Sequence, residues 1–164
     1  MSIMEILEWI EATRIASIAR ESAWGFQILV GLHILGLIFS VGTLLWFDLR
    51  LLGVSMRACP VSRVYRQLMP WTLGGFVVML VSGTFLLAGF ATNAYSNFYF
   101  RTKVIALLLA GVNAAIYHLV TERRVAQWDH APKPPGRARL AGLTSIFLWA
   151  LIILAGRMMS YTMF

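Results

Sequence analysis

His33 is the most informative residue of this sequence for function. The chain has no charged residue from position 24 to position 47, and His33 is the only ionisable side chain there. Within a membrane-spanning segment, such a residue is a functional candidate by default. Gly36 and Ser40 follow three and seven residues later, on or near the same helical face. These small residues leave space beside the imidazole, which either a neighbouring helix or a flat cofactor can fill.

A haem is one group that suits this pattern. Its iron takes an imidazole nitrogen, and its ring needs an apolar slot. His33 is therefore a candidate haem or metal ligand, and Gly36 and Ser40 are candidate cofactor-binding residues. The alternative is a neutral His33 that hydrogen-bonds to another helix, while Gly36 and Ser40 allow close helix packing.

Arg157 is the second costly residue, because it interrupts the apolar run "LWALIILAGRMMSYTMF". A guanidinium at this depth needs an anion, a carbonyl dipole or water. With His33 on the iron, Arg157 could hold a haem propionate, or the two side chains could serve a quinone headgroup. Met158 is a candidate soft ligand for haem iron or copper(I). Two plainer roles stay open, because methionine also fills gaps in cores and arginine can extend its charge to the membrane surface.

His118 is the candidate second axial ligand of a haem. It lies four residues before Glu122, close to the end of its apolar segment. Measured along the helices, His33 and His118 differ in depth by roughly ten residues, or about 15 Å. One iron could bind both only if the helices were tilted or offset. The alternative is an ion pair or hydrogen bond between His118 and Glu122.

The composition indicates which elements position these residues. Of the residues, 59% are hydrophobic and 13% are charged, and the mean hydropathy is +0.74. Soluble domains have roughly 45–50% apolar and about 25% charged residues. Four long apolar blocks, at about 24–47, 70–92, 98–120 and 140–162, are each long enough to cross a bilayer. Helices are the reasonable spanning element, since no alternating barrel pattern is present. We therefore predict an all-α fold, an integral membrane four-helix bundle that forms a single domain over residues 1–164.

Residues 2–20 predict a shorter, amphipathic helix at the membrane interface. Its apolar residues gather towards one face, and Glu5, Glu8 and Glu11 lie at successive i+3 steps on another. This helix could anchor on lipid or dock against a partner protein. We also expect Pro70 to open the second span and "TNAYSN" (92–97) to form a tight polar hairpin.

The basic residues predict the orientation in the membrane. Nine of the fourteen Lys and Arg residues lie in the loops after the first and third spans, and short basic loops stay on the cytoplasmic side. Both termini then face outward, which in a bacterium means the periplasm, with the chain multi-pass in the inner membrane. Because the net charge of +7 is distributed in this way, it does not indicate nucleic-acid binding. The sequence has no phosphate-binding loop, haem-attachment motif or nucleophile elbow, so we predict no catalytic residue.

Several segments together resemble a group of small bacterial four-span membrane proteins. They are "WGFQILVGLHILGLIFSVGTLLWFDLRLLG", "PWTLGGFVVMLVSGTFL", "NFYFRTKVIALLLAGVNAAI" and "AGRMMSY". More distantly, the chain resembles the membrane domain of the copper-resistance D-type proteins, with His33, Phe100 to Lys103 and Asn113 at the matching positions. The resemblance covers about residues 20–160 and implies a four-span fold. By architectural analogy, similar scaffolds serve as quinone-reactive, b-haem anchors of respiratory dehydrogenases.

The sequence thus predicts a small integral subunit of a membrane oxidoreductase assembly. It would bind a b-type haem or a quinone and pass electrons between a periplasmic partner and the quinone pool, without being an enzyme by itself. The first alternative is a non-redox structural or assembly subunit of a larger membrane or periplasmic complex. A weaker alternative, from the resemblance, is a copper or small-solute permease, although the chain lacks long Met/His-rich external segments.

Overall fold

The computed structural model describes residues 2–163, and these residues form helices and loops without a strand. This confirms the all-α prediction. In chain order, the helices are α1 (Ile3–Glu11), α2 (Arg14–Glu21), α3 (Ala23–Leu52), α4 (Val61–Gly89), α5 (Ala91–Ser96), α6 (Phe98–Ile116) and α7 (Gly136–Met163). A π-helical turn (Tyr117–Thr121) and a 3-10 helix (Glu122–Gln127) continue directly from α6.

Four helical segments are long and apolar enough to cross a membrane. Their bounds are Trp24–Leu52, Val61–Gly89, Phe98–Gln127 and Gly136–Thr162. Many of their large apolar side chains point out of the bundle rather than into it, which is the surface that hydrocarbon tails cover in a spanning protein. The chain is therefore a multi-pass membrane protein with a helical bundle, as the apolar blocks predict.

The bundle is built from two closely packed helix pairs. α3 packs along α4, α6 packs along α7, and α3 also contacts α7. We call the end that carries the loops after α3 and after the 3-10 helix (residues 53–60 and 128–135) the basic end. The opposite end, with α1, α2, α5 and the last turns of α7, is the terminal end.

Small residues bring α3 and α4 into backbone contact. A Cβ atom built on Gly75 would lie 2.5 Å from the Ser40 nitrogen, and one on Gly36 would lie 2.7 Å from the Met79 nitrogen. Such close approach is the usual function of small residues between membrane helices. The space beside Gly36 and Ser40 is therefore occupied by α4.

The predicted N-terminal helix over residues 2–20 is two helices in the structure. Thr13 starts α2, because its side chain accepts a hydrogen bond from the Ala16 nitrogen at 3.4 Å. Glu11 accepts hydrogen bonds from the Thr92 nitrogen at 2.8 Å and from its hydroxyl at 2.7 Å. These bonds fasten the end of α1 to α5.

Two local expectations were wrong. Residues 92–97 are not a simple hairpin, because residues 91–96 form α5, and Asn97 then caps α6 by accepting from the Tyr99 nitrogen at 2.9 Å. Pro70 lies inside α4 rather than at its start. The helix begins at Val61 because Asp129, in the loop after the 3-10 helix, accepts two hydrogen bonds from its first turn. The Val61 nitrogen donates to the Asp129 carbonyl at 3.1 Å, and the Ser62 nitrogen donates to the Asp129 carboxylate at 2.7 Å.

Candidate functional site in the terminal half of the bundle

His33 is hydrogen-bonded to α4. Its Nδ1 lies 3.2 Å from the Ser82 hydroxyl, which is itself 2.6 Å from the Val78 carbonyl oxygen. A serine hydroxyl has one proton, and Ser82 donates it to that carbonyl. Nδ1 of His33 must then carry the imidazole proton and donate to Ser82. This assignment of the tautomer follows from the hydrogen-bond network.

The other imidazole nitrogen, Nε2, is consequently left with a free lone pair. No described residue donates a hydrogen bond to it. The ring is half-buried and packed tightly on Gly83, where a Cβ atom would lie 2.9 Å from its Cε1. Nε2 can therefore accept a hydrogen bond or bind a metal. A ring nitrogen fixed by a hydrogen bond while the other stays open is the arrangement typical of ligating histidines.

Lys103 of α6 lies near this imidazole. Its side chain is half-buried over Gly156 of α7, with Nζ at 3.6 Å from the position of a Cβ on that glycine. The ammonium group is within electrostatic reach of His33. Over the part of the chain that the structure describes, Lys103 has no hydrogen-bond acceptor and no carboxylate partner. An imidazole acceptor and an unpaired ammonium donor thus share one region of the bundle.

Lys103 is not among the site residues predicted from the sequence. At the start of the third span, a lysine is expected by default to neutralise a lipid phosphate, with a haem propionate as the alternative. The signal that could have identified it is the one used for His33, an ionisable group inside an apolar segment. Lys103 was passed over because a lysine near a helix end can reach the membrane surface by extending its side chain.

Arg157 is not brought to His33. Its Nη2 donates to the Tyr161 hydroxyl at 2.6 Å, and its guanidinium lies 4.5 Å from the centre of the Tyr161 ring. Both residues are exposed. The arginine is therefore satisfied on the outer surface of α7 by a residue one turn away.

Met158 also lies away from the candidate site. Its side chain is 42% exposed. It follows Gly156 by two positions, which turns it about 200° around α7 from the side that faces Lys103. The structure does not bring Met158 together with His33.

His118 lies at the basic end. Its Nδ1 is 2.5 Å from Glu122 Oε2, and its ring packs against the rings of Tyr65 and Tyr117. Tyr65 and Ser82 mark the levels of the two histidines on α4, and they are 17 positions apart, or roughly 25 Å. One iron cannot bind both histidines in this arrangement, and the pairing with Glu122 is the one observed.

No group of three or more His, Cys, Asp or Glu side chains that could hold a metal ion occurs within residues 2–163. Asn113 is one of the positions at which the chain resembles the copper-resistance D-type proteins. Its side-chain amide donates a hydrogen bond to the Ala141 carbonyl at 3.0 Å. Its side chain therefore joins α6 to α7.

Comparison with known proteins gives one family. Neither the curated proteins nor the solved structures contain a match to the chain. The model of DUF6644, described as a family of unknown function, matches residues 6–162. This match includes all four apolar helices and every residue of the candidate site. The chain therefore belongs to the DUF6644 family.

Proposed function

We propose that this protein is a small integral membrane subunit of an oxidoreductase assembly, and that it binds a quinone headgroup between His33 and Lys103. The observation that carries the proposal is that the free lone pair of His33 Nε2 and the unpaired ammonium group of Lys103 lie in the same region of the bundle. A cation without a partner is unfavourable in an apolar bundle even when it is half-buried, so a ligand that accepts hydrogen bonds would stabilise Lys103.

The two groups complement both redox forms of a quinone. Lys103 donates to a quinone carbonyl oxygen, and Nε2 of His33 accepts from the hydroxyl of the reduced form. Quinones are dissolved in the bilayer and enter a site between helices laterally, from the hydrocarbon region. The two groups lie on different helix pairs: His33 is on α3, which packs mainly on α4, and Lys103 is on α6, which packs mainly on α7. Side chains such as Met79 and Leu107 fill the space between them, and side chains move aside more easily than backbones.

A b-type haem is less well supported than a quinone. Nε2 of His33 is suited to an axial ligand, but α4 occupies the space beside Gly36 and Ser40 that a haem ring would use. His118 lies too far along the bundle to bind the same iron. Copper transport has still less support, since no cluster of typical ligands is present among the described residues.

The electrons would come from a partner protein. If the basic loops face the cytoplasm, the terminal half of the bundle faces the periplasm of a bacterial inner membrane, and the partner would bind on that side. The non-redox alternative is a structural subunit. It is favoured by the protein partners that three of the predicted site residues already have: Ser82 for His33, Tyr161 for Arg157 and Glu122 for His118.

The experiment is a quinone titration of the purified protein, followed by quenching of its six tryptophans, together with quinone extraction and a visible spectrum. Removing a hydrogen bond from a charged donor should weaken binding about 10- to 100-fold, and we expect this for Lys103→Met. Arg101→Met is the matched control, because Arg101 is exposed and donates to the Tyr95 carbonyl. His33→Leu should also weaken binding.

The outcomes separate the functions. If the wild type binds no quinone, or if Lys103→Met and His33→Leu bind as well as Arg101→Met, the quinone site is wrong and a structural subunit is the better description. A Soret band that disappears in His33→Leu would identify a haem protein instead.

A further inference from the structure

A second candidate site lies at the basic end, far from His33. A half-open cavity of about 260 Å³ lies between the first turns of α4 and the π-helical turn after α6. Its polar lining includes Tyr65, Arg66, Tyr117 and Glu122. The proposed quinone site uses none of these residues, so the two sites can be tested separately.

The π-helical turn is what directs two of these side chains into the cavity. The Glu122 nitrogen donates to the Tyr117 carbonyl, five residues earlier. This bond places Tyr117 and Glu122 one above the other, whereas five residues of an α-helix would turn them about 140° apart. π-helical turns within α-helices are found frequently at functional sites.

The cavity presents oxygen atoms that have no partner. Neither the Tyr65 nor the Tyr117 hydroxyl is hydrogen-bonded to a described residue. Both residues line the cavity, so their hydroxyl oxygens are available to a ligand. Glu122 uses one carboxylate oxygen for His118, and its other oxygen has no partner within the described part of the chain.

These groups together suit an ammonium ion. Two phenol oxygens and a carboxylate accept three hydrogen bonds, which is the number that a primary ammonium donates. The faces of the aromatic rings also attract a cation. The rim of the cavity has the opposite charge, because Arg66 is exposed there and has no acceptor among the described residues.

The position of the cavity indicates what carries the ammonium group. Val61 begins the second apolar helix, and the third ends at Gln127, so the cavity lies at the level of the lipid headgroups. A lipid headgroup that carries both an ammonium group and a phosphate would match this cavity. Its ammonium group would lie in the acidic, aromatic interior, and its phosphate would lie at the rim beside the arginine. We propose that this cavity binds the headgroup of phosphatidylethanolamine, with its ammonium group on Tyr65, Tyr117 and Glu122 and its phosphate on Arg66.

Two other phospholipids fit less well. The quaternary ammonium of phosphatidylcholine has no N–H group and leaves the three acceptor oxygens without donors. Phosphatidylglycerol can meet Arg66 but has no cation for Glu122. The site should therefore select phosphatidylethanolamine over both.

Native mass spectrometry of the full chain in detergent tests this selection with the three phospholipids at equal concentration. We expect phosphatidylethanolamine to be retained about fivefold more than phosphatidylcholine, the equivalent of one net hydrogen bond. Tyr65→Phe and Glu122→Gln should reduce this ratio towards one. Tyr65→Phe keeps the ring and its packing, so it tests the hydroxyl without disturbing the fold. Glu8→Gln is the control, since Glu8 is exposed at the terminal end.

The proposal is overturned if the wild type retains phosphatidylethanolamine and phosphatidylcholine equally, or if both variants keep the full preference. If the wild type instead retains phosphatidylglycerol preferentially, and Arg66→Gln loses this preference, basic groups alone recruit the lipid. That result would also overturn the proposal. A last experiment adds soluble phosphoethanolamine as a competitor of the bound lipid. If it displaces the lipid completely at the same concentration, the ligand is the free compound and the lipid assignment is wrong.

Discussion

Gly36 of α3 and Gly75 of α4 face each other so closely that the two backbones touch. A Cβ atom on Gly75 would lie 2.7 Å from the Gly36 carbonyl oxygen, and a Cβ on Gly36 would lie 2.8 Å from the Gly75 carbonyl oxygen. This contact sets the distance between the two helices. It also determines where His33, one turn further towards the terminal end, meets Ser82 at 3.2 Å.

Gly75→Ala should destabilise the protein because its new methyl group would collide with backbone rather than with a flexible side chain. Overpacking of this kind costs about 1–3 kcal/mol, measurable as a lower midpoint of thermal unfolding in detergent. Gly74→Ala is the matched control, since a Cβ at Gly74 would meet nothing within 4 Å. Equal midpoints for the two variants would contradict the close helix contact.

The tautomer of His33 can be observed directly. We expect the ¹⁵N spectrum of labelled protein at neutral pH to show the proton on Nδ1 and a bare Nε2, because the Ser82 hydroxyl donates to the Val78 carbonyl. Ser82→Ala should lower the free energy of unfolding by about 1 kcal/mol. Thr84→Ala should not, because the exposed Thr84 hydroxyl bonds only within its own helix, to the Leu80 carbonyl. A proton on Nε2 would refute the proposed acceptor.

Arg50→Lys should loosen the basic end. The Arg50 side chain is 0% exposed, and it donates from Nε to the Cys59 carbonyl at 2.9 Å and from Nη2 to the Ala131 carbonyl at 3.1 Å. It thereby joins the end of α3 to both basic loops. A lysine cannot reproduce this forked geometry, and we expect a loss of about 2–3 kcal/mol of unfolding free energy. Arg139→Lys, at an exposed position, is the control. If the two variants unfold alike, Arg50 does not hold the loops.

Asp129 should make stability depend on acid pH. Burial alone would raise the pKa of its carboxyl group, but two hydrogen bonds from Ser62 and the charges of His130 and Arg50 outweigh burial and hold the pKa below the ordinary aspartate value. A lowered pKa means that the ionised group stabilises the fold above the ordinary aspartate range, and that this contribution is lost as the pH falls through the folded-state pKa.

Asp129→Asn should therefore unfold more easily than the wild type at neutral pH, by about 1 kcal/mol, because the hydrogen bonds from Ser62 lose their charged acceptor. The difference should shrink as the pH falls below the aspartate range. Unfolding midpoints of both proteins across this pH range provide the measurement. A difference that is the same at acid and neutral pH would exclude the ionised carboxylate as its source.

The orientation in the membrane can be tested with single cysteines in a Cys59→Ser background. If the basic loops face the cytoplasm, a membrane-impermeant maleimide should label Ser2→Cys in intact cells with a permeable outer membrane, and should label Arg139→Cys only after lysis. Both positions are exposed, so accessibility within the protein does not limit either reaction. The opposite labelling pattern would reverse the proposed placement of the quinone site and of its partner.

The number and type of the spanning elements can be predicted from the sequence alone. A bilayer requires about 20 consecutive apolar residues in a helix, and this requirement can be read from a local stretch of chain. The apolar blocks accordingly correspond to the four long helices. The start of α4 was misplaced, because its cap is Asp129, nearly seventy positions away.

Which side chains face one another depends on how the helices pack, and this cannot be predicted from the sequence. A soluble helix marks its inner side with an apolar stripe, whereas a spanning helix is apolar all round and has no such mark. The rotation of each helix about its axis therefore comes from packing, such as the contact between Gly36 and Gly75. That packing turned Arg157 outward to Tyr161 and left Lys103, rather than Arg157, near His33.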